Sequence, residues 1–196
     1  MLFYEFSKLC ERLEATQERT RKISILANML RTLRKGEIPP FVLLMIGKIF
    51  PDWEQRTLDV SWGMMAHIVS GMFRVSREVL IEALKKTGDV GDAVRLLAER
   101  SKRARQLTLL GLSEDVTLLE VYEALRKVAM ISGEDARARK EAILSALMSR
   151  LRPLELKTLM RIIFGDMRHG VNVGLMEEAI AKASGAPLEL VSRAYM

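Results

Sequence analysis

Apolar residues recur every three or four positions along almost the whole chain, and this period constrains the fold more than any other feature. Leu2, Phe6, Leu9 and Leu13 form one such stripe, and similar stripes follow downstream. Side chains at this spacing lie on one face of an α-helix, whereas a half-buried strand alternates apolar and polar residues. No stretch of four or more residues shows that alternation with β-branched enrichment. The pattern predicts a single all-α domain of about ten to twelve helices.

Helix starts are marked by residues whose side chains accept a hydrogen bond from a free backbone N–H. Thr117 has Glu120 three residues later, which is the spacing of a capping box. The predicted N-caps are Ser61, Ser76, Asp89, Thr117 and Asn172.

The composition is that of a globular protein with a basic surface. Of the 196 residues, 49% are hydrophobic, and 31 basic residues against 25 acidic ones leave a net charge of +6. Between Arg126 and Arg168 there are ten basic residues and five acidic ones. This balance favours a polyanionic partner such as nucleic acid, although a solvated helix face is the commoner explanation of any single basic cluster.

Several functional classes lack the residues that they need. One cysteine, Cys10, cannot form an internal disulfide, and two histidines do not make a zinc site. No apolar run approaches the roughly 18 residues of a membrane span, and no signal peptide is visible, so we expect a cytoplasmic chain without a membrane partner. No residue is predicted to be catalytic or to bind a metal. Only two asparagines and three glutamines are present, which favours a thermophilic source.

The sequence also repeats itself weakly, with the second copy 111 to 118 residues after the first. The matching pairs are Arg21-Lys22 with Arg139-Lys140, Pro40 with Pro153, Val60–Met65 with Val171–Met176, and Ser76–Val79 with Pro187–Leu190. Four matches in the same order predict two similar lobes, about 1–87 and 117–196, joined by a connector at about 88–116. Two copies of one surface suit a ligand with two-fold character, such as the backbone of duplex DNA.

The segment from Arg161 to Met176 carries the strongest functional signal. Gly165 suits the left-handed residue that ends a helix, and a new helix is predicted to open near Asn172 with Gly174 in its first turn. A helix N-terminus offers N–H groups and a partial positive charge, glycine lets a phosphate approach closely, and Arg168 adds a charged donor. Phosphate binding and an ordinary connection between two helices are both compatible with this pattern.

Taken in order, six motifs resemble a known family. Gly165–Val171 is similar to the G-D-L-R-x-G-V signature of the N-terminal DNA-binding domain of archaeal and eukaryotic replicative DNA ligases. The likeness covers the whole chain, and the other five motifs are Leu13–Arg19, Gly47–Pro51, Thr87–Gly91, Thr117–Tyr122 and Val191–Tyr195.

The resemblance implies an all-α domain of an archaeal-type ATP-dependent ligase that binds nicked duplex DNA from the minor-groove side, in replication, repair and recombination. Gly133–Ala136 departs from the family's G-x-G-S, so any phosphate contact there would fall to the basic residues that follow. Combined with the helix starts and the internal repeat, the predicted DNA-binding residues are Arg168, His169, Gly170, Asn172, Gly174, Arg161, Arg137, Arg139, Lys140, Ser61, Gly63, Lys22 and Lys48.

The resemblance also implies a nucleotidyltransferase domain and an OB-fold, which would use ATP and Mg²⁺. This chain contains no K-x-D-G motif, so we expect it to be non-catalytic, without a cofactor of its own, and monomeric. Two alternatives to a ligase fragment are a stand-alone helical DNA-binding protein and a helical protein adaptor.

A sliding clamp is a further partner that the resemblance implies. Archaeal ligases of this type often carry Q-x-[ST]-[FL]-F near this point, and Gln106, Thr108 and Leu109 match it. Leu110 replaces the last aromatic residue, so reduced clamp affinity is expected. The alternative is that Leu109 and Leu110 anchor the connector on the domain's own core.

Overall fold

The computed structural model describes residues 1–101 and 115–195, and these residues contain eleven α-helices. In chain order the helices are α1 (Phe3–Glu14), α2 (Arg19–Thr32), α3 (Ile38–Met45), α4 (Trp62–Phe73), α5 (Arg77–Thr87), α6 (Val90–Arg100), α7 (Leu118–Ala129), α8 (Ala136–Arg150), α9 (Pro153–Phe164), α10 (Val173–Ser184) and α11 (Leu188–Tyr195). Within the same residues extended pairing is limited to one bridge between Leu2 and Thr117. The prediction of an all-α domain with this number of helices is confirmed.

Helix ends follow the local sequence signals. Thr117 accepts a hydrogen bond from the N–H of Glu120 at 3.1 Å, and its own N–H donates to the Glu120 carboxylate at 2.8 Å, so the predicted capping box is present. Asp89 caps α6 by accepting from the N–H of Asp92 at 2.7 Å. Gly165 ends α9 in the left-handed conformation, with φ 68°. None of the described helices is long and apolar enough to cross a membrane.

The helices of the two predicted lobes pack across one another around one continuous core. Helix α2 packs on α10 and α4 packs on α8, while α1 packs on α9 and α3 packs on α7. If α1–α5 are exchanged in order with α7–α11, the contact of α2 with α10 becomes that of α8 with α4. In the same way, the contact of α1 with α9 becomes that of α7 with α3. These four contacts are the ones expected if the predicted lobes are related by a pseudo-two-fold axis, whereas the packing of α7 on α8 has no equivalent of comparable extent between α1 and α2.

Helix α6 lies within the predicted connector but is part of the core. It packs against α5 and α9, and Ala93 and Val94 are fully buried. The connector is therefore structural over Val90–Arg100. Residues 102–114, which include the proposed clamp residues Gln106, Leu109 and Leu110, lie outside the described residues.

We expect Gly91→Ala to destabilise the domain by about 1–3 kcal/mol, because overpacking has a cost of this size. A Cβ at Gly91 would lie 2.6 Å from the backbone oxygen of Lys157 and 3.0 Å from Cγ of Arg161, so α6 and α9 would have to separate. Gly71→Ala is the control, because its Cβ would meet nothing within 4 Å. That change should stabilise α4 slightly. Urea unfolding measures both, and equal effects would show that the crossing is not tight.

Candidate nucleic-acid interface

The turn from Gly165 to Asn172 joins α9 to α10 and holds four of the thirteen predicted DNA-binding residues. Asn172 caps α10 by accepting from the N–H of Leu175 at 3.0 Å. Gly174, in the first turn of α10, is exposed. Apart from its chain neighbours and the backbone of α10, the nearest atom to a Cβ placed there would be Oδ1 of Asn172, at 3.9 Å. The N-terminus of α10 is therefore accessible, with its first N–H groups and positive dipole end directed at solvent.

A buried ion network fixes the start of this turn. Arg161 on α9 is 3% exposed, and its guanidinium donates two hydrogen bonds to Glu14, at 2.8 and 3.0 Å. It also pairs with Asp89 at 3.2 Å and with Asp92 at 3.1 Å. A further hydrogen bond of 3.4 Å reaches the backbone oxygen of Met167 within the turn. The prediction that Arg161 contacts phosphate is corrected, because all three nitrogens of its guanidinium donate to groups inside the protein.

Lys157, one helical turn before Arg161, extends the network. It is buried and lies 2.9 Å from Asp92 and 3.3 Å from Glu14. Burial alone would raise the pKa of Glu14 and of Asp92, but the hydrogen bonds and charges of the two cations outweigh it and hold both pKa values below the ordinary range. Burial works against the charged form of Arg161 too, yet Glu14 and the two aspartates raise its pKa above the usual value.

His169 is a buried residue of the turn and does not face the solvent. Its Nδ1 accepts from the N–H of Val171 at 3.2 Å, and its backbone oxygen accepts from Nζ of Lys22 at 2.6 Å. Burial, with the nearby charges of Lys22 and Arg161, lowers the pKa of His169 to about 4. The ring is therefore neutral at pH 7. The expectation that His169 contacts a phosphate is corrected, because its ring is buried. Lys22 is half-buried and holds the turn, and its predicted phosphate contact stays a prediction.

Arg168 is the basic side chain of the turn that reaches the surface. It adopts φ 60°, pairs with Asp166 at 2.7 Å and lies 3.7 Å from Asp89. About half of the side chain is exposed. Gly170 follows with φ 69°, and its missing Cβ leaves room for Nζ of Lys22 at 3.0 Å. Arg168 is thus accessible to a phosphate but would exchange an existing carboxylate partner for it.

The start of α4 reproduces this geometry in the first lobe. Ser61 caps α4 by accepting from the N–H of Met64 at 3.2 Å, and Gly63 is exposed. Lys140, which is buried, donates to the backbone oxygens of Leu58 at 3.4 Å and Asp59 at 3.0 Å. Lys140 therefore corresponds to Lys22 as a tether, and its predicted phosphate contact is corrected, because its side chain is buried.

Exposed arginines flank both tethers. Arg21 and Arg139 precede Lys22 and Lys140, are exposed, and have no charged partner within residues 1–101 and 115–195. Arg137 is exposed but pairs with Glu141 at 2.8 Å. The sequence predictions omitted Arg21, although the repeat that matches it to Arg139 was the signal for it. Lys48 pairs with Asp52 at 2.6 Å and lines a cavity together with Leu58 and Gly165, from the two turns that precede α4 and α10.

We expect Arg161→Met to lower the free energy of unfolding by about 3 kcal/mol, because it leaves the buried carboxylate of Asp89 without its partner. Glu14 and Asp92 are partly exposed and keep Lys157, so they add less to the loss. Arg137→Met removes an exposed pair and is the control, with an expected change within about 0.5 kcal/mol. Urea unfolding by circular dichroism measures both. Similar losses in the two variants would contradict a structural role for the buried network.

The same network gives the stability a defined pH dependence. Since the folded pKa values of Glu14 and Asp92 lie below the ordinary 4.5 and 3.8, the network's contribution is present above those values and is lost as the pH falls through the folded ones. The stability difference between wild type and Arg161→Met should therefore narrow on acidification below about pH 4.

The sequence is similar to those of DNA ligases. A family model described as DNA ligase N terminus matches residues 2–181. The chain is 35% identical over 199 residues to a DNA ligase of Archaeoglobus fulgidus, a match that covers 100% of this chain and 35% of that protein. DNA ligases of Methanothermobacter thermautotrophicus and Thermococcus onnurineus are 32% and 34% identical over 196 residues, which again is 100% of this chain and 34% of each relative. The chain spans about a third of the length of these relatives.

Proposed function

Because the chain belongs to the DNA ligase N-terminal family, we propose that it binds duplex DNA, nicked duplex included, from the minor-groove side. The proposal rests mainly on one observation, the accessible N-terminus of α10 beside Arg168. The catalytic lysine motif is not in this chain, so its contribution to ligation is to hold the substrate. In a full-length ligase, this binding would hold the nicked DNA for sealing in replication and repair.

The contacts available on this surface suit the DNA backbone more than the bases. Helix N-termini and short turns donate N–H groups to phosphates, and such contacts position a duplex without reading its sequence. The exposed arginines Arg21 and Arg139 add charge that can displace counterions from the duplex. A protein adaptor would share the fold but would not need open glycines in the first turns of two equivalent helices.

Binding should be strong at low salt and nearly independent of sequence. We expect the dissociation constants of unrelated duplexes to agree within about tenfold, because the minor groove distinguishes mainly A·T from G·C. Affinity should fall steeply as salt rises, since phosphate binding releases counterions. In the same fluorescence anisotropy titrations, Gly174→Glu should weaken binding by about 1–3 kcal/mol by placing a carboxylate where phosphate is expected.

Two controls separate site from charge in this experiment. Gly36→Glu adds the same charge beyond the far end of α2, where a Cβ would meet nothing within 4 Å. Gly174→Ala changes the site without adding charge. Circular dichroism confirms folding of each variant. A folded Gly174→Glu protein with wild-type affinity would remove α10 as the phosphate site, and a hundredfold preference for one sequence would contradict backbone binding.

We also propose that the segment at 103–111 contacts a sliding clamp, on the strength of Gln106, Thr108 and Leu109. Because leucine at 110 buries less area than an aromatic ring and cannot stack, we expect affinity of about micromolar. Calorimetry with the clamp should show binding that the double variant Leu109→Ala/Leu110→Ala loses. If that variant instead unfolds at lower temperature and binds the clamp unchanged, the leucines belong to the core.

A further inference from the structure

The two helix starts that we assign to DNA share a lysine contact and the conformation of one turn residue. In each, a lysine of the packed helix donates to the backbone oxygen three residues before the N-cap: Lys22 to His169, and Lys140 to Leu58. In each, the following residue has a positive φ. It is Gly170 at 69° in the second lobe and Asp59 at 49° in the first.

The side chain of Asp59 breaks this equivalence. A non-glycine residue is uncommon in the left-handed region, although aspartate tolerates it better than most. The carboxylate of Asp59 lies 2.9 Å from Nζ of Lys140 and is 87% exposed. At the matching position Gly170 offers no side chain at all. The first lobe therefore places a solvent-facing negative charge two residues before the N-cap Ser61, and the second lobe does not.

We propose that Asp59 makes the two quasi-equivalent DNA contacts unequal, so that the duplex is held mainly by the α10 turn. This inference rests on the proposed function. A carboxylate beside the start of α4 repels a phosphate, and it competes for the positive end of that helix. It also neutralises Lys140, which already donates to two carbonyl oxygens. The second lobe keeps Lys22, which has no carboxylate partner among the described residues, next to Gly170. It also carries Arg168, paired with Asp166, where the first lobe has Thr57 beside the exposed Arg56.

Asp59→Asn tests the charge and keeps the shape. Asparagine tolerates positive φ and can still accept from Lys140, so the turn is retained. A negative charge a few ångströms from a phosphate in water corresponds to about fivefold in affinity, and we expect Asp59→Asn to bind a nicked duplex about fivefold more tightly than wild type. Glu123→Gln on α7 is the matched control, because it removes the same charge from another exposed residue.

The reciprocal change places the charge in the other lobe. Gly170→Asp should weaken binding at least fivefold relative to Gly170→Asn, which carries the same backbone strain without the charge. This pair also decides the question if Asp59→Asn does not fold, as checked by thermal unfolding.

The outcomes separate the inference from the function beneath it. If wild type binds no duplex at low salt, the proposed function fails and this inference with it. If wild type binds, but Asp59→Asn matches Glu123→Gln and Gly170→Asp matches Gly170→Asn, then DNA binding stands and the inequality of the lobes is overturned. Asp59 would then be only the counter-ion of Lys140.

Discussion

The burial of Arg161 and Lys157 against carboxylates from α1 and α6 is the constraint on which the rest of the domain depends. Two cations on one helix cannot leave water unless acids meet them with good geometry, and Glu14, Asp89 and Asp92 do so. This requirement fixes the distance between α6 and α9, where Gly91 removes the Cβ that would hold them apart. The network also extends to the proposed DNA-binding surface, because the guanidinium of Arg161 donates to the backbone oxygen of Met167.

Lys22 and Lys140 each fix one turn, as the larger ion network fixes α9 against α6. A helix can present its N-terminus to a ligand only if the preceding turn is held away from it. Lys22 and Lys140 hold those turns by their backbone oxygens, and this part of the restraint is independent of the side chains in the turn. Lys140 also pairs with the carboxylate of Asp59. This independence explains how the two turns can differ in sequence while their helix starts keep the same geometry. Divergence of the two lobes in charge is then possible without loss of the fold.

The sequence was informative where structure is decided locally and misleading where it is decided at a distance. The helices and the caps at Thr117 and Asn172 depend on residues three or four positions apart, and they were predicted correctly. Arg161 was predicted as a phosphate ligand because it opens the segment that leads to Arg168 and Gly174, and Lys140 because it follows the Gly133–Ala136 turn and matches Lys22 in the repeat. Their partners lie 69 to 147 residues away in the chain, and only the fold brings them together. A basic residue can therefore be a core residue, and a one-dimensional charge count does not distinguish the two.

The burial of basic residues changes which groups remain at the surface for a ligand. Once Arg161, Lys157 and Lys140 are assigned to the interior, the surface near the two helix starts retains backbone N–H groups and a small set of exposed arginines, namely Arg21, Arg139 and Arg168. Backbone donors have fixed positions and no preference for a base, and arginine adds affinity through phosphate charge. A surface made in this way suits the proposed binding of duplex DNA of any sequence, because its rigidity comes from buried ion pairs within the domain.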